Sequence, residues 1–361
     1  MKRSICHACV CAVAAAELFM IAPRAKAQGI FPLMPSSVST VPGNGDLNPS
    51  GVAFVPRTVP AGAGLQPHDV LVSNFNNSRN LEGTGNSIVR IDTSGHATLF
   101  YQSIPGVTGM TAALGVLSNG WVLAGNLPSL DGTVQTIQPG SISIIKRNGS
   151  LFSFVFTVLS PMGMAVYDNG SGGTGTAHVF VSDAGGGTVM RLDLSYTPYS
   201  VSVNQQLKLA SGFGYRPDFQ RLLLGPAGIA YDPTHDVLYV ADSLDNSIYQ
   251  IVHAATVTSE QVATQFIADV SHLHGPLGMA ILPNGHLVIA DADSSYNTDP
   301  NQPSELVEYT AQGTFVNQMS IDPNIQGASG VAVENLGWGT VRLAFVDDNA
   351  STVSIRTLVV Q

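Results

Sequence analysis

The chain has 361 residues, of which 11% are charged and 44% hydrophobic, with 37 glycines and 21 prolines. That mix is too apolar for a disordered chain and too rich in turn residues for a helical one. Fifteen basic residues against 25 acidic give a formal net charge of −10 without a basic cluster, which excludes the electrostatic footprint of a nucleic-acid or anionic-lipid binder.

The first segment, 1–27, reads as a signal peptide. Lys2 and Arg3 form a basic start, a small and apolar stretch follows over 5–22, and Ala25-Lys26-Ala27 supplies the small-x-small pattern of a cleavage site. Glu17 interrupts the apolar run, which argues against a stable membrane anchor, and no later stretch approaches the roughly 20 apolar residues of a span. The expectation is an exported protein, periplasmic or secreted, whose mature part is 28–361. All three cysteines (Cys6, Cys9, Cys11) lie in the leader, so the mature part has no disulfide framework, thiolate nucleophile or cysteine-ligated metal.

Beyond the leader the chain repeats. Six short apolar strands open on a small residue, often after proline, at intervals of roughly 50 to 65 residues. They are Pro49-Ser50-Gly51-Val52, Ala112-Ala113-Leu114-Gly115, Pro161-Met162-Gly163-Met164, Pro226-Ala227-Gly228-Ile229, Pro276-Leu277-Gly278-Met279 and Ser329-Gly330-Val331-Ala332. A second strand follows each and ends in Asn or Asp: Asn74, Asn126, Asp183, Asp242, Asp291 and Asp347. A third strand then alternates apolar and polar residues, as in Ser247-Ile248-Tyr249-Gln250-Ile251, and most repeats add a fourth, such as Leu151-Phe152-Ser153-Phe154-Val155. Four antiparallel strands repeated radially define an all-β, six-bladed β-propeller, with blades starting near residues 51, 113, 163, 228, 278 and 330. The last repeat ends after its third strand. The segment 37–41 has the pattern to supply the missing strand and close the ring from the N-terminal side, and 28–34, which precedes it, is expected to matter little.

Gly228-Ile229-Ala230 followed by Val240-Ala241-Asp242-Ser243-Leu244-Asp245-Asn246-Ser247-Ile248 resembles the NHL repeat of six-bladed propellers, and Gly278-Met279-Ala280 with Ile289-Ala290-Asp291 matches nearly as well. The Pro-x-Gly start is also similar to that of SMP-30/gluconolactonase-type propellers, and more distantly to amidating-lyase propellers. The gluconolactonase-type resemblance implies a divalent metal held at position x, the amidating-lyase one histidines beside it. Here x is Ser50, Ala112, Met162, Ala227, Leu277 and Ser329, which do not supply the converging oxygen and nitrogen ligands of a divalent ion. No cofactor is expected at the axis.

Other candidates are local. His272 and His274 lie one alternation apart before blade five, so an extended strand would turn both to one side, where a paired-imidazole metal site or general base would suit them; two solvent-exposed loop histidines are the expected structure. The loop from Asp291 to Asp299 places Asp291, Asp293 and Asp299 as oxygen donors for Ca2+. However, Tyr296 stands where an EF-hand loop requires Gly and Gln302 where it requires a bidentate Glu, so a solvated turn is the expected structure. The ring Asn74, Asn126, Asp183, Asp242, Asp291 and Asp347 is the candidate ligand-binding set on the loop face, although recurrence in every blade fits a turn-capping role. The sequence therefore reads as a binding module for a protein, glycan or small molecule. The alternative is a metal-assisted lyase or hydrolase using His272, His274 and nearby acids.

Overall fold

The computed structural model describes residues 29–31, 36–60, 62–171, 173–293, 299 and 301–360; the leader over 1–27 lies outside them. The described chain is all β apart from two single turns of 3-10 helix, and its strands form six four-stranded antiparallel sheets with one added two-stranded hairpin. The inner strands are Leu47–Phe54, Met110–Val116, Pro161–Asp168, Pro226–Asp232, Pro276–Ile281 and Ala328–Gly337, one to each blade in chain order. The sixth sheet takes its outer strand from Ser37–Ser39, which runs antiparallel to Thr352–Val359 with Ser37 opposite Ser354. Among the described residues no helix is long and apolar enough to cross a membrane.

Why the blade starts carry glycine is visible around the axis. A Cβ on Gly163 would lie 2.2 Å from the Ala227 carbonyl oxygen, on Gly228 2.3 Å from that of Leu277, on Gly278 2.2 Å from that of Ser329, and on Gly330 2.5 Å from that of Ser50. Each motif glycine thus admits the backbone of the next blade, from the third through the sixth and back to the first. Blade two has Ala113 at this position, and Gly125 on the neighbouring strand leaves room for its methyl group.

The core is divided between the blades. Six apolar clusters each span one blade-to-blade interface. Leu123 and Ile142 of blade two meet Val179 and Leu192 of blade three, and Val346 and Val353 of blade six meet Val72 and Val89 of blade one. One blade has two apolar faces and cannot cover both alone, so burial requires a neighbour on each side.

The segment 29–31 departs from expectation. The Ile30 amide donates to Glu308 Oε2 at 2.8 Å, and Phe31 is buried in the cluster between blades five and six. Three residues carry no readable period, yet they join the N-terminal side of the chain to that interface.

Candidate functional site

Inner strands begin, second strands end and third strands begin on one face, here the loop face. The six x residues Ser50, Ala112, Met162, Ala227, Leu277 and Ser329 all line a cavity of about 30 Å³ at the top of the axis, room for a water or two. Glu82 and Arg221, from loops the repeat does not foretell, and Asn48 of the first inner strand supply its polar wall. Glu82 accepts hydrogen bonds from Asn76 Nδ2 (2.7 Å) and Asn48 Nδ2 (3.3 Å), and burial raises its carboxyl above the usual range against the pull of Arg221.

A hairpin roofs this cavity. Between blades three and four, Arg216–Asp218 pairs with Leu222–Leu224. Leu222 and Leu223 pack on Phe75, Leu127 and Ala184 of blades one, two and three. From its turn Arg221 reaches the far side of the mouth, donating to Asp348 Oδ2 at 3.0 Å and to the Gln326 carbonyl at 2.8 Å. Below the cavity a second space of about 40 Å³ lies among Val52, Leu114, Met164, Ile229, Met279 and Val331.

The ring at the second-strand ends faces inward to turn groups. Asn126 Oδ1 accepts from the Ser141 amide and hydroxyl, Asp183 from the Ser160 amide, Asp242 Oδ1 from Leu244 and Asp245, and Asp347 from Ala350, while Asn74 donates to the Thr40 carbonyl and to Ser87. Asn126, Asp242 and Asp347 thus cap the loops that follow them, while Asp183 and Asn74 tie the second-strand end to the chain entering the blade from elsewhere. Burial raises the carboxyls of Asp183 and Asp347, and pushes that of Asp242 up to about 6.

His272 and His274 do not share a side. The amides of His272 and Leu273 both bond the Asp269 carbonyl, so 269–273 curls into a turn and the imidazoles diverge. His272 lies outward, its Nδ1 2.7 Å from Asp269 and its ring stacked on Phe315 with centroids 3.7 Å apart. His274 lies inward and buried, where the structure gathers a second group of sequence candidates. Asp291 Oδ2 accepts the His274 amide at 2.7 Å. Asp293 Oδ2 accepts the Asp299 amide at 2.9 Å, while Asp293 Oδ1 is 3.6 Å from His274 Nδ1.

Glu305 completes this group and was not legible as a site residue. It opens the third strand of blade five opposite Asp291. One ligand atom from each of His274, Asp293 and Glu305 lies within 4.8 Å of the others, and all three residues are buried. His274 Nδ1, Asp291 Oδ1, Asp293 Oδ1 and both Glu305 oxygens have no hydrogen-bond partner among the described residues. Burial, then the charges of Asp291, Asp293 and Asp299, push Glu305 up to about 10; burial and Asp299 push Asp293 up to about 7. Asp291 is raised well above the usual carboxylate range, chiefly by burial. The signal for Glu305 lay in the repeat itself. The residue opening the third strand is Ser87, Ser141, Thr188, Ser247 or Thr352 in the other five blades.

Several other histidines pair with acids away from this group: His68 with Glu334, His178 with Asp193, His235 with Asp232 and His286 with Glu308. The loop face also exposes large apolar side chains, namely Leu130, Phe156, Leu159, Tyr215 and, at the hairpin turn, Phe219. On the opposite face, a cleft of about 670 Å³ opens across blades four to six, with Tyr231, Tyr239, His235, Asn284 and Asn335 among its walls.

No family model matches the chain, and no curated protein matches it in sequence. Solved structures resemble it in fold. A protein of unknown function from Bacteroides thetaiotaomicron aligns over 90% of this chain and 76% of its own, at 12% identity and a TM-score of 0.52. The calcium-binding protein regucalcin from Agrobacterium tumefaciens aligns over 88% and 92%, at 13% identity and a TM-score of 0.50. A gluconolactonase from Xanthomonas campestris covers 92% of this chain and 100% of its own at 10% identity, with a TM-score of 0.48. The first two of these likenesses show a shared fold.

Proposed function

We propose that the protein is an exported, NHL-like binding propeller that docks a protein partner on its loop face. The observation that carries this reading is the apolar exposure there: Phe219 is 81% exposed at the hairpin turn, Leu130 74% and Phe156 67%. Groups of exposed large apolar side chains mark interaction surfaces; the opposite face also exposes Tyr199 and Trp338, but at turns of blades three and six, across the ring from one another. The fold supports the reading too, because the hairpin that carries Phe219 is packed over the axis rather than left free. Export rests on the leader pattern of Lys2, Arg3 and Ala25-Lys26-Ala27.

The test is cross-linking of the exported protein in its own cells, comparing wild type with a Phe219→Asp, Phe156→Asp double variant of equal thermal stability. One or a few defined partners should be captured by the wild type and lost from the variant. Identical captures from both would overturn the reading. A second reading, a sugar or other small polar ligand, is favoured by the opposite cleft, whose volume falls in the range of small-molecule sites. The metal-assisted lyase or hydrolase ranks behind both: the cavity that Asp293 lines is about 10 Å³, room for a water and not for a substrate.

A further inference from the structure

We propose that His274, Asp293 and Glu305 form a divalent-cation site of the zinc or manganese class inside blade five, away from the propeller axis. The first argument is internal to the repeat. At the start of the third strand the other blades place a hydroxyl beside the Asn or Asp that ends the second strand; Asn74 donates to Ser87 Oγ at 3.2 Å, and Asn126 Oδ1 accepts from Ser141 Oγ at 2.8 Å. Blade five substitutes Glu305 opposite Asp291 and so sets two carboxylates against each other. Both are fully buried. Together they turn three carboxylate oxygens, Asp291 Oδ1 and both of Glu305, into the interior with no hydrogen-bond partner among the described residues.

The second argument is the orientation of the imidazole. His274 Nε2 lies 3.1 Å from the Val270 carbonyl oxygen, and that acceptor requires the proton to be on Nε2. In the neutral imidazole the Nδ1 lone pair then faces Asp293 Oδ1 at 3.6 Å. A neutral lone pair and a carboxylate repel one another. A cation between them is attracted to both, and a backbone carbonyl holding the far N–H is the usual support of a metal-bound histidine. Ligands about 2.1 Å from a tetrahedral zinc stand roughly 3.4 Å apart, close to the separation seen.

The third argument is the free valence. Glu305 offers two oxygens and Asp293 one, none with a partner among the described residues, while Asp293 Oδ2 is steadied by the Asp299 amide. The donor set of one imidazole nitrogen with carboxylate oxygens suits zinc or manganese better than calcium, which takes six to eight oxygen ligands. In this arrangement Asp291 and Asp299 position the ligands through backbone amides and are not themselves the core of the site.

The rival state is a cluster that holds protons in place of a metal. Isothermal titration of the full exported protein, stripped with chelator and dialysed, with Zn2+, Mn2+ or Ca2+ alone separates the two. One equivalent of Zn2+ or Mn2+ should bind tighter than about 1 μM, with Ca2+ at least about 100-fold weaker. Co2+ should give visible absorption bands that His274→Asn alters. Glu305→Ser, which restores the hydroxyl used in the other blades and should fold, should weaken Zn2+ binding at least about 100-fold. If stripping unfolds the chain, recovery on adding Zn2+ or Mn2+, and not Mg2+, supports the site equally. A folded, stripped wild type that binds neither ion at about 1 mM would overturn the proposal, as would Glu305→Ser binding as tightly as wild type or Ca2+ binding more tightly than Zn2+ and Mn2+.

Discussion

Glycine at the blade starts is required by distance rather than by turn geometry. Gly228 has the Leu277 carbonyl oxygen 2.3 Å from where a Cβ would sit, and that neighbour is backbone of the next blade. Gly228→Ala should therefore cost about 1–3 kcal/mol, read as a lower denaturant midpoint with an unchanged slope. Gly43, with nothing within 4 Å of its Cβ position, is the control and should tolerate alanine. Equal midpoints for the two variants would refute the packing argument. Asp242 yields a second prediction at this scale. Its folded carboxyl sits at about 6 against 3.8 for the free group, raised by burial and then by Asp245, so the fold favours the protonated form. The stability it contributes is complete below about pH 4 and is lost as the pH rises through about 6. Asp242→Asn keeps the acceptor for the Leu244 and Asp245 amides while removing the charge. It should gain on wild type between about pH 4 and pH 7, by on the order of 3 kcal/mol at the upper end. Parallel melting-temperature profiles across that range would rule this out.

Among the elements, the blades were legible because each strand is long enough to show alternation and each repeat marks the same places with Gly and with Asn or Asp. The roofing hairpin was not legible. Its strands are three residues each, one contains Pro217, and the leucines that pack beneath it look like any short apolar run. The expected strand over 37–41 occupies Ser37–Ser39 in the sixth sheet, and Thr40 follows it, fully buried, with its amide and hydroxyl both on the Ser351 carbonyl. Deleting 36–41 should expose the edge of Thr352–Val359 and lower the melting temperature by many degrees. The segment before it carries weight of its own, contrary to expectation: Phe31→Ala should cost about 3 kcal/mol, since it empties part of the interface between blades five and six. A Phe31→Ala melting temperature equal to wild type would show that the contact is incidental.

At the scale of the whole molecule, the six axial positions were legible in full, since a periodic sequence assigns equivalent residues to one ring. The groups that give the mouth its polarity were not, because Glu82 and Arg221 come from loops without a counterpart in other blades, and Asn48 from a position that is Ser160, Gly225 or Gly275 before the other prolines. Glu305 stood in view as part of a regular strand, and only comparison with the hydroxyl residues of the other repeats sets it apart. The mouth also joins distant parts of the ring. Arg221, borne between blades three and four, pairs with Asp348 of blade six and draws on Glu82 of blade one. Burial pushes Asp348 up and the guanidinium pulls it down, so losing the arginine would strand two buried acids without their cation. Arg221→Met should therefore destabilise the protein by about 3–5 kcal/mol. The loss should grow with pH, because the stranded carboxyls can be neutralised only by protons. Adding Asp348→Asn to Arg221→Met should recover part of the loss and flatten that pH dependence. If the double variant is no more stable than the single one at neutral pH, the hairpin acts through its leucines alone and the cross-ring ion pair adds nothing to the closure of the mouth.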